Sequence, residues 1–128
     1  MGSRRRGLER DHDRIVAHVT ANSDLFEPGL TLLGTEHPVS GASGESGFLD
    51  ILFRDRDGRY LIVEVKSKAS ELDEAIGKLG RHRRLFAELN HLEHGRIRRV
   101  LACPYIPESR FAELREAGIE WLIVPILR

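Results

Sequence analysis

Gly47-Phe48-Leu49-Asp50-Ile51-Leu52-Phe53-Arg54, then Asp55-Arg56-Asp57-Gly58, then Arg59-Tyr60-Leu61-Ile62-Val63-Glu64-Val65-Lys66, is the stretch on which the fold turns. Two apolar, β-branched runs flank a turn signal, the pattern of a β-hairpin. With a loop of Arg56, Asp57 and Gly58, and Gly58 in the left-handed conformation such loops require, the register sets Asp50 opposite Glu64. Side chains alternate across a strand. Phe48, Asp50, Leu52, Ile62, Glu64 and Lys66 are therefore expected on one face, and Leu49, Ile51, Phe53, Leu61, Val63 and Val65 on the other. The second face is wholly apolar and the first mostly so, which predicts a hairpin covered on both sides, as in an α/β sheet.

Two carboxylates side by side in a covered site repel one another, and desolvation adds to the penalty. A divalent cation removes that cost. Oxygen ligands from Asp50 and Glu64, completed by a main-chain carbonyl such as that of Val65, by water and by substrate phosphate, suit Mg²⁺ or Mn²⁺ rather than zinc. Lys66, two residues after Glu64, is placed to favour hydroxide formation from a nearby water and to offset charge on a phosphate. The same spacing also allows an inert arrangement in which Glu64 and Lys66 form an ion pair on the strand face and nothing reacts.

Asp50 followed after thirteen residues by Glu64-Val65-Lys66 resembles the PD-(D/E)xK nuclease signature in its D…ExK form. The wording Gly47-Phe48-Leu49-Asp50-Ile51-Leu52, Arg56-Asp57-Gly58 and Val63-Glu64-Val65-Lys66 is similar to that of the C-terminal nuclease domain of the NucS/EndoMS mismatch-endonuclease family, and the likeness runs from about Leu8 to the C-terminal strand. The resemblance implies a restriction-endonuclease-like core, an α/β fold in the order αβββαβαβ with a mixed central sheet flanked by helices. It also implies a metal-site glutamate on the first helix, a place we expect Glu9 to fill. The family carries a glutamine and, one turn later, a tyrosine on its second helix. Lys78 and His82 stand there, a departure that puts substrate preference in question.

The rest of the chain fits that frame. At 128 residues one core is expected, with residues 1–7 a basic N-terminal tail (Arg4-Arg5-Arg6) and residues 8–128 a single nuclease-like domain. Zero formal net charge argues against a protein that coats nucleic acid non-specifically. No apolar run approaches the ~20 residues of a membrane helix, so no membrane partner is expected, and a single cysteine fits a reducing cytoplasm. Apolar spacing predicts helices over Leu8–Thr20, Leu72–Leu92 and Pro107–Ala117, and strands over Leu30–Val39, Ile97–Tyr105 and Ile119–Ile126. Ser40 to Ser46 reads as a solvent loop beside the site, with a substrate flap as its functional alternative. Lys78, Arg81, Arg83, Arg84, Arg96, Arg98 and Arg99 form a local basic excess, of which Lys78, His82, Arg81 and Arg84 are the expected DNA contacts.

These features together predict a Mg²⁺- or Mn²⁺-dependent DNA endonuclease of repair or defence origin. Asp50, Glu64, Val65 and Glu9 are its expected metal residues and Asp50, Glu64, Lys66 and Glu9 its catalytic ones. Its expected partner is DNA, whether branched, single-stranded or mismatched, and its expected state a homodimer, because cutting both strands calls for two sites. The competing expectation is a binding module that keeps the fold without efficient chemistry.

Overall fold

The hairpin forms as its turn chemistry dictates. Asp55 N–H donates to the Arg59 carbonyl at 2.8 Å, and Gly58 N–H donates to the Asp55 carbonyl at 3.0 Å. Gly58 takes φ +81°. The Asp55 carboxylate accepts from the N–H groups of Asp57 (3.0 Å) and Arg59 (2.8 Å), which pins the loop. Pairing then runs from Arg54↔Tyr60 to Ile51↔Val63. One step further along this register Asp50 lies across from Glu64.

The computed structural model describes residues 2–125, with side chains from Arg10 onward. Its elements are α1 (Gly2–Ala21), α2 (Ser23–Phe26), β1 (Thr31–Ser40), β2 (Ser46–Arg54), β3 (Tyr60–Val65), α3 (Leu72–Asn90), β4 (Ile97–Cys103), α4 (Phe111–Glu116) and β5 (Ile119–Ile123). The five strands make one sheet in the order β1-β2-β3-β4-β5. β1, β2 and β3 are mutually antiparallel, and β3, β4 and β5 parallel. The expected element order therefore holds, with the short α2 added and α1 beginning at Gly2, so Arg4-Arg5-Arg6 fall within the helix span rather than in a tail. Among the described residues no helix is long and apolar enough to cross a membrane.

Each face of the sheet has its own core. Leu52, Ile62 and Leu101 pack with Leu72, Ala75, Leu79 and Phe86 of α3. Ile51, Phe53, Leu61, Val63, Val65 and Val100 pack with Ile15 and Val19 of α1. Leu49 departs from the strict alternation. It is buried with the α3 cluster and not beside Ile51. The register with β1 carries Thr35↔Ile51 and His37↔Leu49 across an intervening Glu36 whose φ is +48°, so the edge strand is distorted where Asp50 sits.

Because β3 ends at Val65, opposite position 49 in this register, Ser46 to Phe48 and their β1 partners extend past it as a two-stranded arm. The arm rests on α3: His37 meets the Phe86 ring edge-on at 6.2 Å, and the Arg84 guanidinium donates to Glu45 at 2.8 Å. The loop at its tip is closed by Gly41 N–H to the Glu45 carbonyl at 2.8 Å. It is a tied hairpin end.

The basic run of the sequence does not gather into one surface. Arg98 is held by Glu27 (2.7 Å), Asp55 (3.1 Å) and Glu120 (2.6 Å). Arg96 donates to the Gly58 carbonyl and Arg99 to that of Ala117. Arg84 is shared between Glu45 and Glu88. The Arg98 cluster ties the hairpin turn to α2 and β5. Burial pushes the Asp55 carboxyl up, but Arg59 N–H and the Arg98 guanidinium outweigh it and hold Asp55 below the usual carboxylate range. Its contribution to stability is thus present at neutral pH and lost as pH falls below about 4. We expect Arg98→Ala to destabilise the fold by about 2 kcal/mol at pH 7, the cost of a buried carboxylate losing one of its partners. The loss should shrink toward pH 3, as urea denaturation at the two pH values would show.

Candidate active site

Parallel strands β3 and β4 end at the same edge of the sheet, where Lys66 N–H donates to the Ala102 carbonyl at 3.0 Å. Clefts in α/β sheets open at such carboxyl ends. Here a cleft of about 750 Å³ is lined by His12 and Asp13 of α1, Glu36 of β1, Asp50 of β2, Glu64, Val65, Lys66, Ser67 and Glu71 at and beyond the end of β3, and Lys78 of α3.

Asp50 is oriented from two sides. Its Oδ2 accepts the Val65 N–H at 2.7 Å, and its Oδ1 lies 3.3 Å from His12 Nε2. Burial pushes the carboxyl up, but His12 and the Val65 N–H together hold it below the usual range. The same contact with Asp50 raises His12 against the opposing effect of its own burial. Glu64 has a different environment. Only 2 % exposed, it is pushed up to about 7 by burial and by the negative charge of Asp50, with Lys78 opposing. Lys78 Nζ stands 3.4 Å from Glu64 Oε1, and His82 Nδ1 3.8 Å from Glu64 Oε2. The metal-free pair therefore holds one ionised carboxylate beside one that is partly protonated at neutral pH.

Lys66 is 8 % exposed. Its ammonium does not meet Glu64 in an ion pair; it donates to Glu74 Oε1 at 3.0 Å and lies 3.7 Å from Glu71 Oε2. Burial lowers Lys66, yet Glu74 and Glu64 outweigh that and keep it above the ordinary lysine value, a cation at physiological pH.

The structure thus brings Asp50, Glu64, Val65, Lys66 and Lys78 to one cleft. His82 does not join them. Its side chain is 1 % exposed, its Nε2 is buried without a hydrogen-bond partner among the described residues, and burial followed by the charges of Lys78 and Arg81 lowers it to about 4. It is a neutral imidazole packed behind Glu64, against Gly47, where a Cβ would lie 2.9 Å from Nε2. This corrects its expected role as a phosphate contact, since a buried, uncharged ring offers nothing to DNA. Arg81 is exposed on α3 outside the cleft lining, and Arg84 is committed to the arm. The loop at residues 41–45 does not line the cleft either. The side chain of Glu9 lies outside the described ones; among those described, His12 of α1 reaches Asp50.

His12, Glu36, Glu71 and Glu74 are site residues the sequence reading missed. His12 was findable: it precedes Ile15 by three and Val19 by seven, the spacing of one helix face, and both of those are buried. Glu71 and Glu74 carry no such signal, because only the packing of α3 brings them to Lys66.

The family model of the endonuclease NucS C-terminal domain matches residues 11–125. The chain belongs to that family. The matched span begins two residues after Glu9 and includes His12. Endonuclease NucS of Methanocaldococcus jannaschii is 26 % identical over 114 residues, spanning 89 % of this chain and 40 % of that protein. A UPF0102 protein of Paracidovorax citrulli is 34 % identical over 116 residues, spanning 86 % of this chain and 74 % of that one. Among solved structures, a chain of an EndoMS–dsDNA complex superposes with TM-score 0.71 at 23 % identity, covering 92 % of this chain and 46 % of that chain. A repair endonuclease from Pyrococcus abyssi gives 0.67 at 21 % identity, covering 87 % and 45 %. The NucS-family chain described here therefore spans less than half of the Methanocaldococcus NucS and of the two solved chains, and shares the mixed, helix-flanked sheet of the solved ones.

The donor set fits a hard or borderline divalent ion. Two carboxylates from neighbouring strands face one cleft, and the partly protonated state of Glu64 is the cost that a bound cation would remove. Among the described residues no three His, Cys, Asp or Glu side chains are gathered as a ready metal group. Lys78 and His12 neutralise the pair instead.

Proposed function

We propose that this chain is a metal-dependent DNA endonuclease whose reacting centre is the cleft shared by Asp50, Glu64 and Lys66. The observation that carries the reading is the meeting of those two carboxylates and one buried ammonium at the carboxyl edge of the sheet, in a chain of an endonuclease family. Asp50, Glu64 and the Val65 carbonyl would hold Mg²⁺ or Mn²⁺, with Glu9 contributing directly or through water. When bound, such an ion supplies Lewis-acid stabilisation of phosphoryl charge and a lowered pKa for its water.

The remaining work falls to the chain. Val65 N–H and His12 fix the Asp50 carboxylate, so that its orientation is set before substrate arrives. Lys66 is a cation throughout the physiological range; it orients water and stabilises charge developing on the phosphate, and does not itself accept a proton. Glu74 and Glu71 hold that ammonium in place. Lys78, one-third exposed, would turn from Glu64 to a DNA phosphate, and Arg81, three residues on along α3, would bind the next one. Two copies acting together would cut both strands.

One observation favours a second reading, a nucleic-acid-binding module without efficient chemistry: Lys78 already occupies an oxygen of Glu64. Cleavage of plasmid and oligonucleotide DNA with Mg²⁺ or Mn²⁺, against EDTA, separates the two. Metal-dependent cutting that disappears in Glu64→Ala and Lys66→Ala is the expected result. DNA binding unaffected by EDTA, with no cutting by the parent chain, supports the module.

A further inference from the structure

We infer that His12 is itself a ligand of the cation in this cleft, giving a mixed nitrogen–oxygen site that takes Mn²⁺ and related first-row transition ions in preference to Mg²⁺. The inference rests on the reading of Asp50 and Glu64 as metal ligands and narrows the ion they hold.

Geometry is the first support. Asp50 Oδ2 is occupied by the Val65 N–H at 2.7 Å, which leaves Oδ1 as the free oxygen, and Oδ1 is the atom facing His12 Nε2 at 3.3 Å. Two adjacent ligands bound at about 2.1–2.2 Å to one ion stand roughly 3 Å apart. The imidazole nitrogen and the carboxylate oxygen already have the spacing of one coordination edge.

The second support is what holds the ring in place. His12 Nδ1 faces the side of the exposed Asp13, whose Oδ1 is 3.7 Å away, too far for a hydrogen bond, so among the described residues the far nitrogen is not tied up by a partner that would turn the ring from the cleft. Ile15, fully buried, and Val19, three and seven residues further along α1, anchor the helix on the sheet, so the ring does not have to be recruited from a loose segment. His12 also lines both the 750 Å³ cleft and an adjoining cavity of about 430 Å³, leaving an ion a way in.

Ligand chemistry then decides the class. Magnesium is bound through one or two carboxylates plus water and phosphate, whereas imidazole adds affinity for Mn²⁺, Co²⁺, Ni²⁺ and Zn²⁺. A site of Asp50 and Glu64 alone would discriminate weakly; with His12 it would not.

Titration calorimetry of the full chain with MnCl₂ and with MgCl₂ tests this, alongside electron spin echo modulation of the Mn²⁺ complex. The parent protein should bind Mn²⁺ at least tenfold more tightly than Mg²⁺ and show ¹⁴N coupling. His12→Ala should lose that coupling and about tenfold in Mn²⁺ affinity, with a smaller loss for Mg²⁺, so that the preference for Mn²⁺ narrows, and the circular dichroism spectrum unchanged. Mn²⁺ bound as tightly by His12→Ala, or without ¹⁴N coupling in the parent, while Asp50→Asn abolishes binding, overturns the role of His12 and leaves the carboxylate site standing. Failure of the parent to bind either ion overturns both.

Discussion

Glu64→Gln should make the metal-free protein more stable at pH 8 while removing its metal-dependent cleavage. Glu64 is pushed from the ordinary 4.5 to about 7 by burial and by Asp50. The folded protein therefore binds its proton more tightly than the unfolded chain does, and between those two values stability falls as pH rises. Above pH 7 the whole penalty is present; below pH 4.5 it is absent. A shift of that size corresponds to about 3 kcal/mol, and Glu64 is too buried for solvent screening to remove much of it. The neutral amide carries no such penalty. Urea denaturation in EDTA should show Glu64→Gln more stable than the parent by about 2–3 kcal/mol at pH 8, with the difference vanishing toward pH 4.5. Saturating Mn²⁺ should then stabilise the parent by roughly 3 kcal/mol at a hundred times Kd and leave the variant unmoved. Equal stabilities in EDTA at pH 8 would mean that Glu64 is not strained by its neighbour, and the chief motive for a cation would be gone.

Lys66→Met should lower the cleavage rate by about 10²–10⁴-fold, the range for removing a preorganised charge from a reacting centre. Methionine keeps most of the buried alkyl volume. The ion pairs lost are to Glu74 and Glu71, whose side chains are 63 % and 33 % exposed, so the stability change should stay within about 1 kcal/mol. Metal affinity should be nearly unchanged, because the ammonium sits on Glu74 rather than on Glu64. Since Lys66 is a cation at neutral pH, the pH–rate profile of the parent should show no basic limb from lysine deprotonation. Glu74→Gln should cost less than tenfold in rate, its part being to hold Lys66 in place. A Lys66→Met protein that cuts normally would move the chemistry elsewhere in the cleft.

The hairpin was legible in the sequence because every local preference there agreed: alternating apolar strands, an Asp-Arg-Asp-Gly turn and one residue fit for positive φ. Its register, and with it the opposition of Asp50 and Glu64, followed from the loop length. The long helix α3 was legible from its period, but not which of its polar residues would turn inward. His82 and Lys78 are four apart on one helix, yet one is buried behind Glu64 and the other lines the cleft. Depth of burial along a helix face is set by the sheet packed against it, which the period does not reveal. Charge counts misled for the same reason: the arginines after Lys78 are adjacent in sequence, but Arg84 turns to the β1–β2 arm and Arg98 to the hairpin turn. His12 is masked in the sequence by Glu9, which fits the first-helix acid that the family resemblance implies. The positive φ of Glu36 and the burial of Leu49 with the α3 core had no sequence signal.

The most direct test of the account is an anomalous difference map from crystals of this chain soaked in MnCl₂. The account predicts one peak within coordination distance of both Asp50 and Glu64, beside the Val65 carbonyl, with Lys78 turned away from Glu64. Ordered, soaked crystals showing no peak there, with Lys78 still seated on Glu64, would contradict it.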